Sequence, residues 1–404
     1  MVSTANGRVL ISGAIIAGPA LAHWLHRSGY DVTVVELAPD VRPGGQAVDL
    51  RGAGRTVIER MGLLDRAREL SLDQRGIEWV DAEGKVTVRM PADAFGGEGL
   101  ISEVEILRGD LVHLLFEATS PHVDYRFGDS IEAMDDRDDA VHVRFRSGTE
   151  ESFGLVVGAD GLHSRVRRLA FGDDSGTVVP LGCYTAWFTA PGIPELDGWY
   201  QMHNAPGGRV ASVRPGRDAV ESKASLSFRS APLPWQRLDL ADQRRELGDR
   251  FGDLEGRVRL LVEASQEAPD LAFSPLGQVR MPHWTRGRTA LVGDAGYCPT
   301  PLTGLGTSLA LVGGYLLAAE LAAAGGDHAR AFRQYESRLR PYADACQQLP
   351  PGGVRSFAPM TRTGIRLQAA SMRSMLRWPM RGIMERQAGK AADIDLPDFE
   401  QQQP

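Results

Sequence analysis

Residues 8–36 read RVLISGAIIAGPALAHWLHRSGYDVTVVE, and this stretch decides the fold. Arg8–Ser12 has the apolar run of a buried strand, Ala17–Ser28 has the apolar spacing of a helix, and Asp31–Glu36 is a second strand rich in β-branched residues. Strand, glycine turn, helix and strand make a βαβ unit. In a dinucleotide-binding unit the first glycine makes the tight turn, the second lets main chain approach the pyrophosphate, and the third lets helix pack on strand. Gly13, Ala14, Ile16, Ala17 and Gly18 are therefore candidate phosphate-loop residues. Glu36, ending the second strand, is placed to accept hydrogen bonds from the adenosine ribose and to repel a 2′-phosphate. Ile15 stands where the second glycine belongs, and its branched side chain is expected to crowd the pyrophosphate. A buried βαβ unit that binds no dinucleotide also fits this stretch taken alone.

Two later turns carry the same kind of signal. Residues 158–167, GADGLHSRVR, follow the apolar strand Leu155–Val157; residues 291–295, LVGDA, are followed by Pro299, Pro301 and Thr303-Gly304-Leu305-Gly306 leading into a helix. Each alone could be a glycine turn with a helix cap. Their order and spacing point to one nucleotide site. Gly304 and Gly306 offer N–H groups at a helix N-terminus, where the dipole favours negative charge, and the prolines stiffen the neighbouring wall.

The segments between these signals differ in character, so the chain reads as an α/β protein with a Rossmann-like domain assembled from separated pieces. Residues 6–75, 101–177 and 276–340 form that domain; 76–100 and 178–275 form an inserted β-sheet substrate domain. Residues 341–390 form C-terminal helices, with an Arg-rich segment packing across the lobes, and 391–404 form a loose tail. Trp187, Tyr200, Met202 and Phe228, with Phe188, sit on strands of the insertion and, together with Pro299, are candidates to line a substrate pocket. They equally suit sheet core.

A net charge of −7 with scattered arginines argues against a nucleic-acid partner. Three cysteines, Cys183, Cys298 and Cys346, are too few and too far apart for a disulfide framework or a cysteine-based metal site, and they fit a reducing cytoplasm. No apolar run reaches the ~20 residues that cross a bilayer, so no membrane partner is expected. His163 and His283 are available, but no catalytic acid or base is nominated.

Together these motifs resemble the class A flavoprotein monooxygenases, the family of para-hydroxybenzoate hydroxylase and of the tetracycline-inactivating and polyketide-modifying hydroxylases. The resemblance runs from about Arg8 to Arg340. It implies non-covalent FAD, NADPH or NADH as transient electron donor, O₂, and hydroxylation of an aromatic or polyketide-like small molecule through a C4a-hydroperoxyflavin. By the same resemblance Asp160 lies where FAD and NAD(P)H binding meet, and Asp294 after Gly293 faces the ribityl chain. Arg108, in Leu107-Arg108-Gly109-Asp110-Leu111, inherits contact with the FAD phosphate and ribityl region, and residues 44–50, GGQAVDL, nominate Asp49. Two positions depart from the family: Ile15, and Leu37 where many relatives carry Arg. Baeyer–Villiger oxygenation on the same fold and a non-catalytic flavin or ligand binder stay open as alternatives. The Trp-x-Trp-x-Ile-Pro segment of flavin halogenases is missing.

Overall fold

The computed structural model describes residues 7–42, 44–94, 104–172, 176–376 and 394–399. β1 (Arg8–Ser12), α1 (Ala17–Arg27) and β2 (Asp31–Glu36) form the βαβ unit, followed by β3 (Ala47–Leu50), α2 (Gly52–Arg60) and α3 (Leu64–Glu69). β4 (Gly76–Val80) and β5 (Val86–Pro91) cross to the second lobe. β6 (Val104–Leu107), α4 (Arg108–Thr119), β7 (Asp124–Phe127), the meander β8 (Ile131–Asp136), β9 (Val141–Phe145) and β10 (Glu150–Phe153), then β11 (Leu155–Gly158) and α5 (Arg165–Phe171) belong to the first. β12 (Val178–Pro191), β13 (Trp199–Ala205), β14 (Arg209–Pro215), β15 (Glu221–Arg229), α6 (Leu240–Phe251), α7 (Arg257–Glu267) and β16 (Ala272–Val279) build the second lobe. β17 (Thr285–Arg286), β18 (Thr289–Leu291), α8 (Asp294–Tyr297), α9 (Gly306–Ala323) and α10 (His328–Cys346) complete the first, with α11 (Gly353–Phe357) and α12 (Arg362–Met375) after them.

The first lobe is a six-stranded sheet in the order β17-β18-β11-β1-β2-β7. Its strands are parallel except β17, and all of β1 and β11 beyond Arg8 is buried, which is why they read as unbroken apolar runs. Ser12 pairs with Gly158, and Gly158 with Leu291, so the three glycine turns leave the sheet side by side at its C-terminal edge. The second lobe is a seven-stranded sheet, β16-β12-β15-β14-β13-β4-β5, antiparallel except where β13 meets β4. β4 and β5 lie at one edge of this sheet, and at the other edge β16 runs past residue 275 to Val279, which pairs with Val178.

α9 is apolar enough to span a bilayer by length and composition, but here 78% of it is buried, between α1, α2 and α10. The expected loose tail is corrected in part. Phe399 packs on Trp24 and Tyr315, which also touch each other, with ring centroids at 4.8 and 5.2 Å, and Arg60 donates to the carbonyl of Pro397 at 2.8 Å. Burying an aromatic ring outweighs the entropy of ordering six residues only when such polar anchors help. Of the Arg-rich C-terminal segment, α12 packs on β5 and β13, whereas Arg377, Arg381, Arg386 and Lys390 lie outside the described residues.

Candidate active site

The phosphate loop is shaped by two glycines that cannot carry a side chain. Gly13 has φ +111°, and a Cβ there would sit 2.4 Å from the carbonyl oxygen of Ala159; on Gly18 it would sit 1.9 Å from the oxygen of Gly13. The loop is thus pressed against the 158–161 turn. Glu36 accepts from the N–H of Ala14 through one oxygen and of Ala38 through the other, each at 2.9 Å, so its charge is held at the loop's mouth. Arg42 approaches within 3.7 Å of that carboxylate, from a loop that begins after the exposed Leu37.

Ile15 is half-buried and packs against the main core, so part of its side chain is engaged away from the expected obstruction. Ile15→Gly is expected to tighten FAD binding by ~1 kcal/mol, the scale of relieved local overpacking. Flavin fluorescence titration measures this; an equal or weaker dissociation constant shows that core packing of Ile15 keeps the loop open.

Asp160 turns inward. Its carboxylate accepts from the N–H groups of Arg165 at 2.7 Å and Val166 at 3.1 Å and from the Ser164 hydroxyl, and enclosure raises its pKa against those bonds. It ties down the start of α5. Next to it Arg167, 1% exposed, donates to the carbonyls of Leu162 and Ala295, each at 2.8 Å. This guanidinium fastens the 158–161 turn to the 293–297 turn, a role that spacing along the chain did not announce.

Asp294 follows Gly293, which takes φ +66°. Protein surrounds its side chain closely, yet the carboxylate is open to solvent, as on the wall of a cleft. That enclosure raises its pKa; the Cys298 thiol, donating to it, and Arg108 work in the other direction. Arg108, the first residue of α4, is likewise accessible and rests on Gly45. Enclosure and Arg42 lower its pKa while Asp294 raises it. An accessible cation and carboxylate facing one another across a glycine-floored cleft suit the phosphates and hydroxyls of FAD. Cys298 is buried and its thiol is pushed well above the usual range, so it serves as a donor and not as a nucleophile.

The wall beyond is braced by two buried amides. Gln347 donates to the carbonyls of Val279 at 2.7 Å and Tyr297 at 3.0 Å, and Gln278 donates to that of Pro299 at 3.0 Å. Pro301 is exposed, Gly304 adopts φ +66°, and Gly306 opens α9 beside Pro299.

Asp49, half-buried on β3, is paired through one carboxylate oxygen with Arg51 at 2.7 Å. The substrate face also needs correction. Phe188 and Phe228 belong to the core under α6 and α7, where Phe228 stacks on Tyr184 and Phe273. Trp187 pairs across β15 with Ser225, on the other face. That face also carries Ser212, whose partner across β13 is Met202, together with Tyr200 and Arg214. Tyr200 donates to Ser212 at 3.0 Å, and Ser212 meets Ser225 at 2.7 Å. Met202 is buried with Trp79 and Met90 beneath the C-terminal helices. The face is therefore more polar than the aromatic set suggested. His163 lies against Trp235 with tilted rings at 5.2 Å, and His283 is exposed beside Glu336. A separate cavity of about 530 Å³ lies at the far end of the strands; two of its arginines, Arg286 and Arg288, are committed to main-chain carbonyls.

The FAD binding domain family matches residues 6–349. A protein of Mycobacterium tuberculosis (strain ATCC 25618 / H37Rv), Rv1260, is 44% identical over 87% of this chain and 95% of its own length. A flavin-dependent monooxygenase of Legionella longbeachae serogroup 1 (strain NSW150) is 37% identical over 87% of this chain and 90% of its own. The crystal structure of tetracycline destructase Tet(55) superposes with a TM-score of 0.82 at 35% identity, covering 98% of this chain and all (100%) of that one. The chain belongs to the FAD binding domain family, as a flavin-dependent monooxygenase of the class A type.

Proposed function

We propose that this enzyme hydroxylates an aromatic or polyketide-like small molecule, with non-covalent FAD, O₂, and NADPH or NADH as electron donor. The observation that carries the reading is the convergence of three glycine turns, Glu36, Arg108 and Asp294 on one crevice, beside a sheet face lined by Trp187, Tyr200, Ser212, Ser225 and Arg214. When bound, FAD takes two electrons from the nicotinamide and passes one atom of O₂ to the substrate. The chain's own residues bind, orient and exclude water. Glu36 would hold the ribose hydroxyls, Arg108 the phosphate, and Asp294 the ribityl hydroxyls. The N-terminus of α9, with Gly304 and Gly306, would offer N–H groups to negative charge on the reduced ring.

Tyr200 and the serine ladder orient a phenol or enol, and α11 and α12 cover that end of the sheet. With no second dinucleotide fingerprint, the nicotinamide must meet the flavin at an exposed edge. The name tetracycline destructase, borne by neighbours at 32% and 35% identity, supports the polyketide-like class. Three buried, unpaired cysteines fit a reducing compartment such as the cytoplasm.

The test uses the FAD-loaded protein with tetracycline and a panel of phenols. NAD(P)H oxidation is expected to be slow alone and to accelerate with a substrate; with ¹⁸O₂, one labelled atom appears in the product and the other in water. A product labelled only from H₂¹⁸O rules the reading out.

A further inference from the structure

Four charged side chains outside the cofactor crevice meet at the seam between the lobes. β3 and β6 run antiparallel with Asp49 directly opposite Glu105, so two carboxylates share one face of a ribbon, an arrangement that repels unless cations intervene. Arg51 pairs with Asp49 and Arg214 with Glu105; side-chain exposures of 8% and 13%, then 13% and 3%, leave little of the four to water. Arg214 comes from the substrate sheet, 4.0 Å over the ring of Tyr200. Arg51 extends toward Gly304 of the flavin wall, and Ser308 of α9 donates to its carbonyl at 3.1 Å.

Glu105 is the incomplete member. Arg214 holds one of its oxygens; the other, Oε2, is buried and has no hydrogen-bond partner among the described residues. A buried carboxylate that stays ionised collects donors at both oxygens. Burial, opposed by Arg214 and reinforced by Asp49, pushes the Glu105 carboxyl up to about 7. The groups facing it are Arg214, Asp49 and Arg51. Those of α3 turn to solvent, Asp110 of α4 is held by Arg217, and Lys223, across the sheet from Arg214, is held by Glu221 and Thr189.

We infer that Glu105 is a proton-exchanging positioning residue: when an anionic oxygen of the substrate pairs with Arg214, Arg214 leaves Glu105 and Glu105 takes up a proton on its free oxygen. For a phenol or enol, the substrate O–H bond breaks, the electron pair stays on the oxygen beside Arg214, and the proton goes to Glu105. The charge of the buried group is unchanged, since one negative charge enters and one is cancelled. A substrate that arrives ionised draws the proton from solvent instead. The choice of phenols and enols rests on the hydroxylation proposed above, because electrophilic oxygen transfer favours the oxyanion.

The test needs no turnover, so it stands or falls apart from the oxygenation reading. FAD-loaded protein is titrated with 4-nitrobenzoate and 4-nitrophenol, following the flavin spectrum and, in weak buffer with an indicator dye, proton uptake. In the wild type above neutral pH, 4-nitrobenzoate is expected to bind with uptake of close to one proton, its dissociation constant rising about tenfold per pH unit. Near neutral pH, where the phenol and Glu105 each carry about half a proton, 4-nitrophenol is expected to bind as the yellow anion with no net exchange. Glu105→Gln is expected to remove the uptake and flatten the pH dependence, with a thermal melt to verify folding. Should it not fold, Glu105→Asp is expected to keep the uptake with a displaced midpoint. Equal uptake in wild type and Glu105→Gln, a pH-independent affinity in the wild type, an unmoved midpoint in Glu105→Asp, or failure of both anions to bind overturns the inference.

Discussion

Arg167→Leu is expected to destabilise the protein by about 2 kcal/mol or more, since the buried carbonyl of Ala295 loses its donor at ~1–3 kcal/mol and the half-buried carbonyl of Leu162 loses another, and to release FAD on gel filtration. The leucine preserves helix propensity and much of the volume, so the loss reports the guanidinium. Its partners, the carbonyls of Leu162 and Ala295, belong to different turns of the crevice; the bond to Ala295 is buried and the bond to Leu162 half-buried. A leucine carries no donor that could replace a fork spanning two turns. Thermal melting with and without added FAD is the measurement. An unchanged melt and unchanged FAD retention would show that the glycine turns hold each other without this bridge.

Asp294→Ala is expected to weaken FAD binding by ~1.5–3 kcal/mol, the range for hydrogen bonds to a charged group, or roughly ten- to a hundredfold in dissociation constant. The sign of the pH dependence adds a second check. Enclosure raises the Asp294 pKa in the protein alone, so the folded state without cofactor is penalised as pH rises through that value. Ribityl hydroxyls donate to the ionised form, so FAD affinity should fall as pH drops through the same value. Stability of the apoprotein and affinity for FAD should therefore shift in opposite directions, and both shifts should vanish in Asp294→Ala. Wild-type affinity in a folded Asp294→Ala would show that the assignment of this turn is wrong.

The nucleotide lobe was legible because each of its signals is local. An apolar run, a glycine and a helical period report one turn of chain at a time, and Gly13, Gly18 and Gly293 occupy backbone positions that constrain residue type. The substrate face was read less well. In β15 the alternation already separates Lys223, Ser225 and Ser227 from Ala224, Leu226 and Phe228, so Phe228 could not share a face with Ser225. What the strand alone does not carry is which face α6 and α7 cover, since that depends on how a helical pair folds back. Glu105 and Arg214 lie 109 residues apart on different lobes, and no periodicity joins them. Phe399 was missed because a short apolar alternation reads as tail until Trp24 and Tyr315 provide its slot.

The central sheet is threaded from residues 8–12, 31–36, 124–127, 155–158 and 285–291. During synthesis, β1 and β2 emerge early, but β11 keeps one edge bare until β18 has left the ribosome. Pairings this distant in sequence form slowly, and the waiting edge is apolar, a template for association with other nascent chains. A ligand held where β1, β11 and β18 end together would favour the last pairing by mass action, so added flavin during synthesis is expected to raise the share of copies that escape aggregation.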